Sequence, residues 1–177
     1  MKVKDIKISF ESKTEKLGRR LIIKLPPDAS LKLPSRGQVA VSGTINGYDF
    51  KTVVEPDGNK GHWINLEGKM AGLKNGAKAV IDMQPVKEWP EPQVPADLKS
   101  ALADDSDISK MWRDITPMAR WEWVRWVNST PNPETRERRV EVTVSKMRSG
   151  KRRPCCFNLA ACTDPELSKS GKLLGIS

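Results

Sequence analysis

Four prolines crowd into eleven residues, at Pro85, Pro90, Pro92 and Pro95, and the hydrophobic period differs on either side of them. Proline has a fixed φ and no backbone donor, so such a cluster reads as an extended, stiff connector rather than as strand or helix. Before it, apolar residues alternate with polar ones. After it, they recur every three or four residues, the helical spacing. A chain patterned in this way builds two bodies, strands first and helices second, and 177 residues provide length for both.

In the first half, Ile6, Ile8 and Phe10 alternate with Lys7 and Ser9, the pattern of a half-buried strand. Arg19 to Leu25 reads as a second strand, which Pro26-Pro27 must end because proline cannot donate to a ladder. Asn46-Gly47 is the clearest local signal, since both central residues of a type I′ hairpin turn need positive φ. A two-residue turn there pairs Ile45 with Tyr48, Gly43 with Phe50, Val41 with Thr52 and Val39 with Val54, on one apolar face. Gly43 is expected to leave room for the Phe50 ring. Leu66, Met70 and Leu73 allow a short helix, weakened by Gly68 and Gly72. Asn75-Gly76 then turns the chain into a last strand, Ala79 to Met83. Five or six short strands in a Greek-key-like order predict a small closed β barrel, which leaves no open edge.

In the second half, Leu98, Ala101 and Leu102 form a stripe on a helix that begins near Pro95. Asp104 or Asp105 caps a second helix carrying Ile108, Met111, Trp112 and Ile115. Thr116-Pro117 and Asn132-Pro133 each combine a capping side chain with proline at the first helical position, and they start a third and a fourth helix. Val140, Val144 and Met147 form the buried face of the fourth, and Gly150 ends it. Projected at about 100° per residue, the third helix places Ala119, Trp123, Trp126 and Val127 on one side and Trp121 opposite, beside Arg125. The expected architecture is α+β: a barrel over residues 1–86, a linker over 87–94, a bundle of about four helices over 95–157, and a tail over 158–177 whose order is open.

The net charge is +9, with a surplus of 6 in residues 1–88 and 3 in residues 89–153. A diffuse surplus favours anionic partners, nucleic acid among them, and equally serves solubility. No run approaches the 18 or so apolar residues of a membrane-spanning helix. The opening Met1-Lys2-Val3-Lys4-Asp5 lacks the apolar core of a signal peptide, so the expected location is the cytoplasm. Cys155, Cys156 and Cys162 are the only cysteines, an odd clustered set that argues against a disulfide framework. Their spacing matches no zinc motif, so no metal or cofactor is assigned. Arg152 and Arg153 close by would favour a Cys155 thiolate, although packing of Cys155-Cys156-Phe157 against a helix is the plainer role. His62, the only histidine, follows Gly58-Asn59-Lys60-Gly61 and is read as a loop or strand-edge residue, with general-base work as the alternative. No catalytic residue is assigned. The candidate contact residues are Arg136, Arg139, Trp121, Arg125, Lys151, Arg152, Arg153 and His62: arginines for an acidic or phosphate surface, and an exposed Trp121 for stacking. Glu134 and Arg138 are in the order that favours an i, i+4 ion pair.

Val94-Pro95-Ala96-Asp97-Leu98, Ala101-Leu102, Trp126-Val127, Glu134-Thr135-Arg136-Glu137-Arg138-Arg139 and Lys151-Arg152-Arg153-Pro154 together resemble the YdeI/OmpD-associated, or bacteriocin-protection, family over roughly residues 94–157. Gly43-Thr44-Ile45-Asn46-Gly47, His62 and Gly72-Leu73-Lys74-Asn75-Gly76 are similar to the small β-barrel domain of unknown function that often precedes it, although Ala77 stands where an acidic residue is common. The resemblance implies a split barrel distantly like that of AbrB-type DNA-binding antitoxins, and a link to envelope proteins or bacteriocin resistance. It carries over no catalytic residue. The reading is therefore a non-enzymatic binding or protection protein with an unidentified protein or anionic partner. A nucleic-acid-binding or regulatory protein is the first alternative, and an enzyme using His62 or the thiols is the second.

Overall fold

The structure, a computed structural model, describes residues 6–66, 73–154 and 158–175. The short helix expected around Met70, with Gly68 and Gly72, lies outside these residues, as do Cys155, Cys156 and Phe157. The chain divides into two compact units. One is the chain up to Pro90 with Leu159–Cys162 and the segment from Leu167 onward, and the other is Glu91–Asn158 with Thr163–Glu166.

The first unit contains β1 (Ile8–Lys13), β2 (Glu15–Leu17), β3 (Arg20–Lys24), α1 (Pro27–Leu31), β4 (Val39–Ile45), β5 (Tyr48–Pro56), β6 (His62–Asn65) and β7 (Lys78–Pro85). The seven strands form one curled antiparallel sheet, a half-barrel in the order β1-β7-β4-β5-β6-β3-β2. Thr14 alone separates β1 from β2, yet these strands stand at the two ends of that order. One strand bent at Thr14 thus supplies both edges of the sheet. Thr14 is buried, and both its backbone groups and its hydroxyl are held by the turn before β7. Its N–H donates to Ala77 O (2.8 Å), its carbonyl accepts from Gly76 N (2.9 Å), and its hydroxyl accepts from Ala77 N (2.9 Å) while donating to Lys74 O. The α+β architecture, barrel then helices, is the one expected. The strand β2 and the five-residue α1 are additions to it.

The β4–β5 hairpin has the predicted register, from Ile45↔Tyr48 through Gly43↔Phe50 and Val41↔Thr52 to Val39↔Val54. Asn46 and Gly47 have φ of 50° and 85°, as a type I′ turn requires. The side chain of Asn46 also spans to β7, donating to Lys78 O and accepting from Val80 N. Val39, Val41, Ile45 and Val54 join Ile8, Ile23, Ile64 and Ile81 in the inner core. Two expectations for this hairpin change. Tyr48, the first residue after the turn, is 71% exposed. Gly43 serves β7 rather than Phe50: a Cβ there would lie 1.9 Å from Asp82 O and 2.6 Å from Met83 Cα. At this point β4 and β7 approach too closely for any side chain on β4.

The chain end adds β8 (Ser168–Lys169) and β9 (Lys172–Leu173), a small hairpin of the first unit. Cys162, Leu167 and Leu173 bury themselves with Ile22, Trp63 and Leu17. Alternation along β3 and β6 places Ile23 and Ile64 inward and Ile22 and Trp63 outward, so the returning segment covers the outer face of these strands. This explains why the run Leu21-Ile22-Ile23 is apolar without a break.

The second unit is α2 (Ala96–Ala103), α3 (Ser106–Asp114), α4 (Pro117–Asn128) and α5 (Pro133–Arg148). The caps agree with the sequence: Asp105 for α3, Thr116 for α4 and Asn132 for α5 each accept from backbone N–H groups of the first turn. Gly150 follows α5 with φ of 90°. Leu98, Leu102, Ile108, Ile115, Trp123, Val127, Val140 and Met147 form the core.

Gly43→Ala should lower stability to urea by about 3 kcal/mol, since the clash is with backbone that cannot repack. Tyr48→Ala, at the other end of the same hairpin face, should change it by no more than about 0.5 kcal/mol. Equal losses would remove the assigned role of Gly43.

Candidate functional site

Five arginines of the second unit, Arg120, Arg136, Arg139, Arg148 and Arg152, are tied to helix ends. A helix terminus leaves backbone groups without intrahelical partners, and the guanidinium fork can serve several at once. Arg120 donates to Trp112 O (3.0 Å) and Ile115 O at the end of α3, and its other edge grips Glu91 at 2.9 and 2.5 Å. Arg152 reaches the same end of α3, with the Asp114 carboxylate at 3.0 Å and its carbonyl at 3.2 Å. Arg148 meets Asp105, the α3 cap, at 3.0 Å, and this contact holds the Asp105 carboxyl below the usual range.

Arg136 makes a two-bond pair with Asp97, in the first turn of α2, at 2.7 and 3.0 Å. It also donates to Asn128 Oδ1 at 2.8 Å, and it depresses the Asp97 pKa. Arg139 donates to Trp126 O (2.9 Å) and Ser129 Oγ at the end of α4, and its guanidinium carbon lies 5.3 Å from the Trp126 ring centroid. Arg153 pairs through two bonds with Glu122, which is buried, and this carboxylate raises the Arg153 pKa. Arg125 is buried, with Nε 3.0 Å from Thr163 Oγ1.

Of the predicted contact residues, Arg136, Arg139, Arg125 and Arg153 therefore make internal bonds. Lys151 is exposed, and the side chains of Arg152 and Arg153 remain 53% and 54% exposed beyond their pairs. Trp121 is half-buried rather than exposed. The angular projection assumed one buried side of α4, whereas Arg120, Glu122 and Arg125 are buried together with Ala119, Trp123 and Val127. Arg138 and Glu134 are exposed and are not among the ion pairs of the described residues.

His62 belongs to β6 and is 1% exposed, not a loop residue. Its Nε2 lies 2.9 Å from Gly37 O, and its Nδ1 lies 2.6 Å from Ser30 Oγ. A carbonyl only accepts, so Nε2 carries the hydrogen and Nδ1 accepts from the Ser30 hydroxyl. Burial pushes the pKa down, and Arg36 pushes the same way. Arg36 in turn closes the end of α1, donating to Ser30 O (2.7 Å) and Leu33 O (3.0 Å), and it also reaches Lys60 O (2.9 Å). Ser30, which α1 brings to His62, has no local signal in the sequence. The only local clue to the strand was the apolar Trp63-Ile64 pair directly after His62. Among the described residues no group of three or more His, Cys, Asp or Glu is arranged to hold a metal ion. Cys162 is packed against Ile22 and Trp63.

Residues 10–83 match a domain of unknown function, DUF1905, and residues 91–150 match the bacteriocin-protection, YdeI or OmpD-associated family. The chain carries a DUF1905 domain followed by a YdeI/OmpD-associated domain. No curated protein matches it. The DUF1905 match takes in Thr14, Ser30, Gly43 and His62. The YdeI/OmpD-associated match takes in Glu91, Asp97, Arg120, Arg136, Arg139 and Arg148, the residues that clamp the helix ends.

Arg120→Met should cost about 2–3 kcal/mol in denaturant unfolding, because it leaves a carboxylate and several helix-end carbonyls without their donor. Arg138→Met should stay within about 0.5 kcal/mol. For His62 the folded state holds the neutral form and the unfolded state protonates near pH 6.5. Stability from this residue is thus complete above about pH 6.5 and falls as pH drops below it. Tm measured against pH should show that decline in the native chain and a flatter profile in His62→Gln.

Proposed function

We propose that this protein is a non-enzymatic binding protein acting in bacteriocin or stress protection. The observation that carries the reading is the state of its only histidine: both ring nitrogens of His62 are engaged inside a packed core, by Ser30 and by a carbonyl. A general base needs a free nitrogen within reach of a substrate proton. The description of the family matched by residues 91–150 supports the protective role. The contact surface is the exposed basic run after α5, Lys151 with the outward portions of Arg152 and Arg153, and the partner is a protein presenting an acidic surface. Arg136, Arg139 and Arg125 contribute by holding the helices that carry this run.

The test compares bacterial survival under bacteriocin challenge with and without the protein. Lys151→Glu should abolish protection and partner capture while leaving Tm unchanged, since Lys151 is exposed at the surface. His62→Gln, assayed at neutral pH, should retain both. Loss of protection in His62→Gln at unchanged Tm would overturn the non-enzymatic reading. Oligonucleotide binding that weakens steeply with salt and disappears in Lys151→Glu would replace the acidic protein partner with nucleic acid.

A further inference from the structure

The bend between β1 and β2 gathers positive charge. Its residues, Lys13-Thr14-Glu15-Lys16, are woven into Lys74-Asn75-Gly76-Ala77-Lys78, the turn before β7 and its first residue. Thr14 bonds to Lys74, Gly76 and Ala77, and Lys16 N–H donates to Asn75 Oδ1 at 3.1 Å. Lys13, Lys16, Lys74 and Lys78 thereby come to one rim of the sheet, and all four are exposed. Lys13 and Lys78 stand directly opposite each other in the β1–β7 register. Opposed residues of an antiparallel pair share a face, and like charges placed so are destabilising. The nearby carboxylates leave most of this charge standing. Glu11 pairs with Lys78 at 3.4 Å, and Glu15 pairs with Lys24 at 3.1 Å, away from the rim lysines. Lys13, Lys16 and Lys74 are in no ion pair among the described residues.

We propose that this lysine rim binds the phosphate backbone of a double-stranded nucleic acid. An anion between Lys13 and Lys78 turns their repulsion into a shared attraction. The buried, bonded Thr14 fixes the main chain that carries the lysines, so binding does not have to order it. Gly76, in the middle of the rim, has φ of 80°, and a Cβ there would meet nothing within 4 Å. A phosphate chain can therefore approach the backbone closely at this point. The residue types favour phosphate over carboxylate. Elsewhere in this chain arginine forks grip carboxylates through two bonds, as at Asp97 and Glu122. The rim carries only lysine, a flexible point charge without that fork. It also has no aromatic ring on which an unpaired base could stack, and no large apolar side chain to enter a bilayer. Duplex phosphates ask for neither, because release of their counterions supplies the affinity. The rim belongs to the first unit and is separate from the basic run after α5.

Fluorescence anisotropy of a short labelled DNA duplex of mixed sequence, titrated with the full chain, tests this. The duplex should bind at low salt, and log K should fall against log salt with a slope of about −3, close to one unit for each unpaired lysine. Lys13→Ala, Lys16→Ala and Lys74→Ala combined should weaken binding about tenfold or more and flatten the slope to about −1. Lys32→Ala, Lys51→Ala and Lys87→Ala combined remove three exposed charges elsewhere in the same unit and should cost less than about threefold. Lys151→Glu should stay within the same limit, so that this site and the run after α5 succeed or fail separately. Without nucleic acid, Lys13→Ala should leave Tm unchanged or raise it, because it relieves the repulsion from Lys78. No duplex binding at low salt, equal losses in the two triple variants, or a Tm lowered by Lys13→Ala would each overturn the proposal. Tighter binding to polyglutamate or to phosphatidylserine vesicles than to the duplex would also overturn it, and would give the rim to an acidic protein or a membrane.

Discussion

The bend at Thr14 is the constraint on which the first unit depends. A curled sheet of seven strands has two edges, and here both belong to one stretch of chain that changes direction at a single buried residue. The hydrogen bonds from Thr14 to Lys74, Gly76 and Ala77 fix where the change occurs. That fixes the register of β1 on β7. Gly43 makes the matching allowance on the other side of β7, where backbone approaches backbone too closely for any side chain.

The second unit answers a different problem. Its core of Leu98, Ile108, Trp123, Val127 and Met147 provides the driving force, at about 1.5–3 kcal/mol for each large side chain buried. Apolar burial is non-directional and does not say where a helix must stop. Arg120, Arg136, Arg139, Arg148 and Arg152 supply that direction by joining helix ends to carboxylates and carbonyls. Exposed ion pairs of this kind add little stability individually, roughly 0–1 kcal/mol. Arg120 differs because its side chain is 10% exposed and its loss would strand several groups at once.

Much of this was readable in the chain. Asn46-Gly47 set a turn type, a loop length and hence a register, because its requirement for positive φ is local. The helix starts at Asp105, Thr116-Pro117 and Asn132-Pro133 were readable for the same reason, since a cap and the residues it serves are neighbours. The candidate site was far less legible. Arg136 and Arg139 read as a surface for a partner because their acceptors, Asp97, Trp126 O and Ser129, come from elsewhere in the chain. His62 read as a loop or strand-edge residue, and its burial was not legible because its partner Ser30 lies 32 positions away.

By itself, then, the sequence determined the two-part α+β organisation, the hairpin register and the helix boundaries, all consequences of short-range sterics and hydrophobic period. Only the tertiary structure decided which charges are free and which are engaged. Arg136, Arg139 and Arg153 have the composition of a binding patch and the geometry of clamps. The tertiary structure also decided that the chain end belongs with the barrel: Leu167 and Leu173 carry no periodic signal, and their burial depends on Ile22 and Trp63 facing outward from a sheet that exists only once the strands have paired. Pairing at a distance leaves no trace in local pattern, because the free energy that selects it arises between residues far apart in the chain.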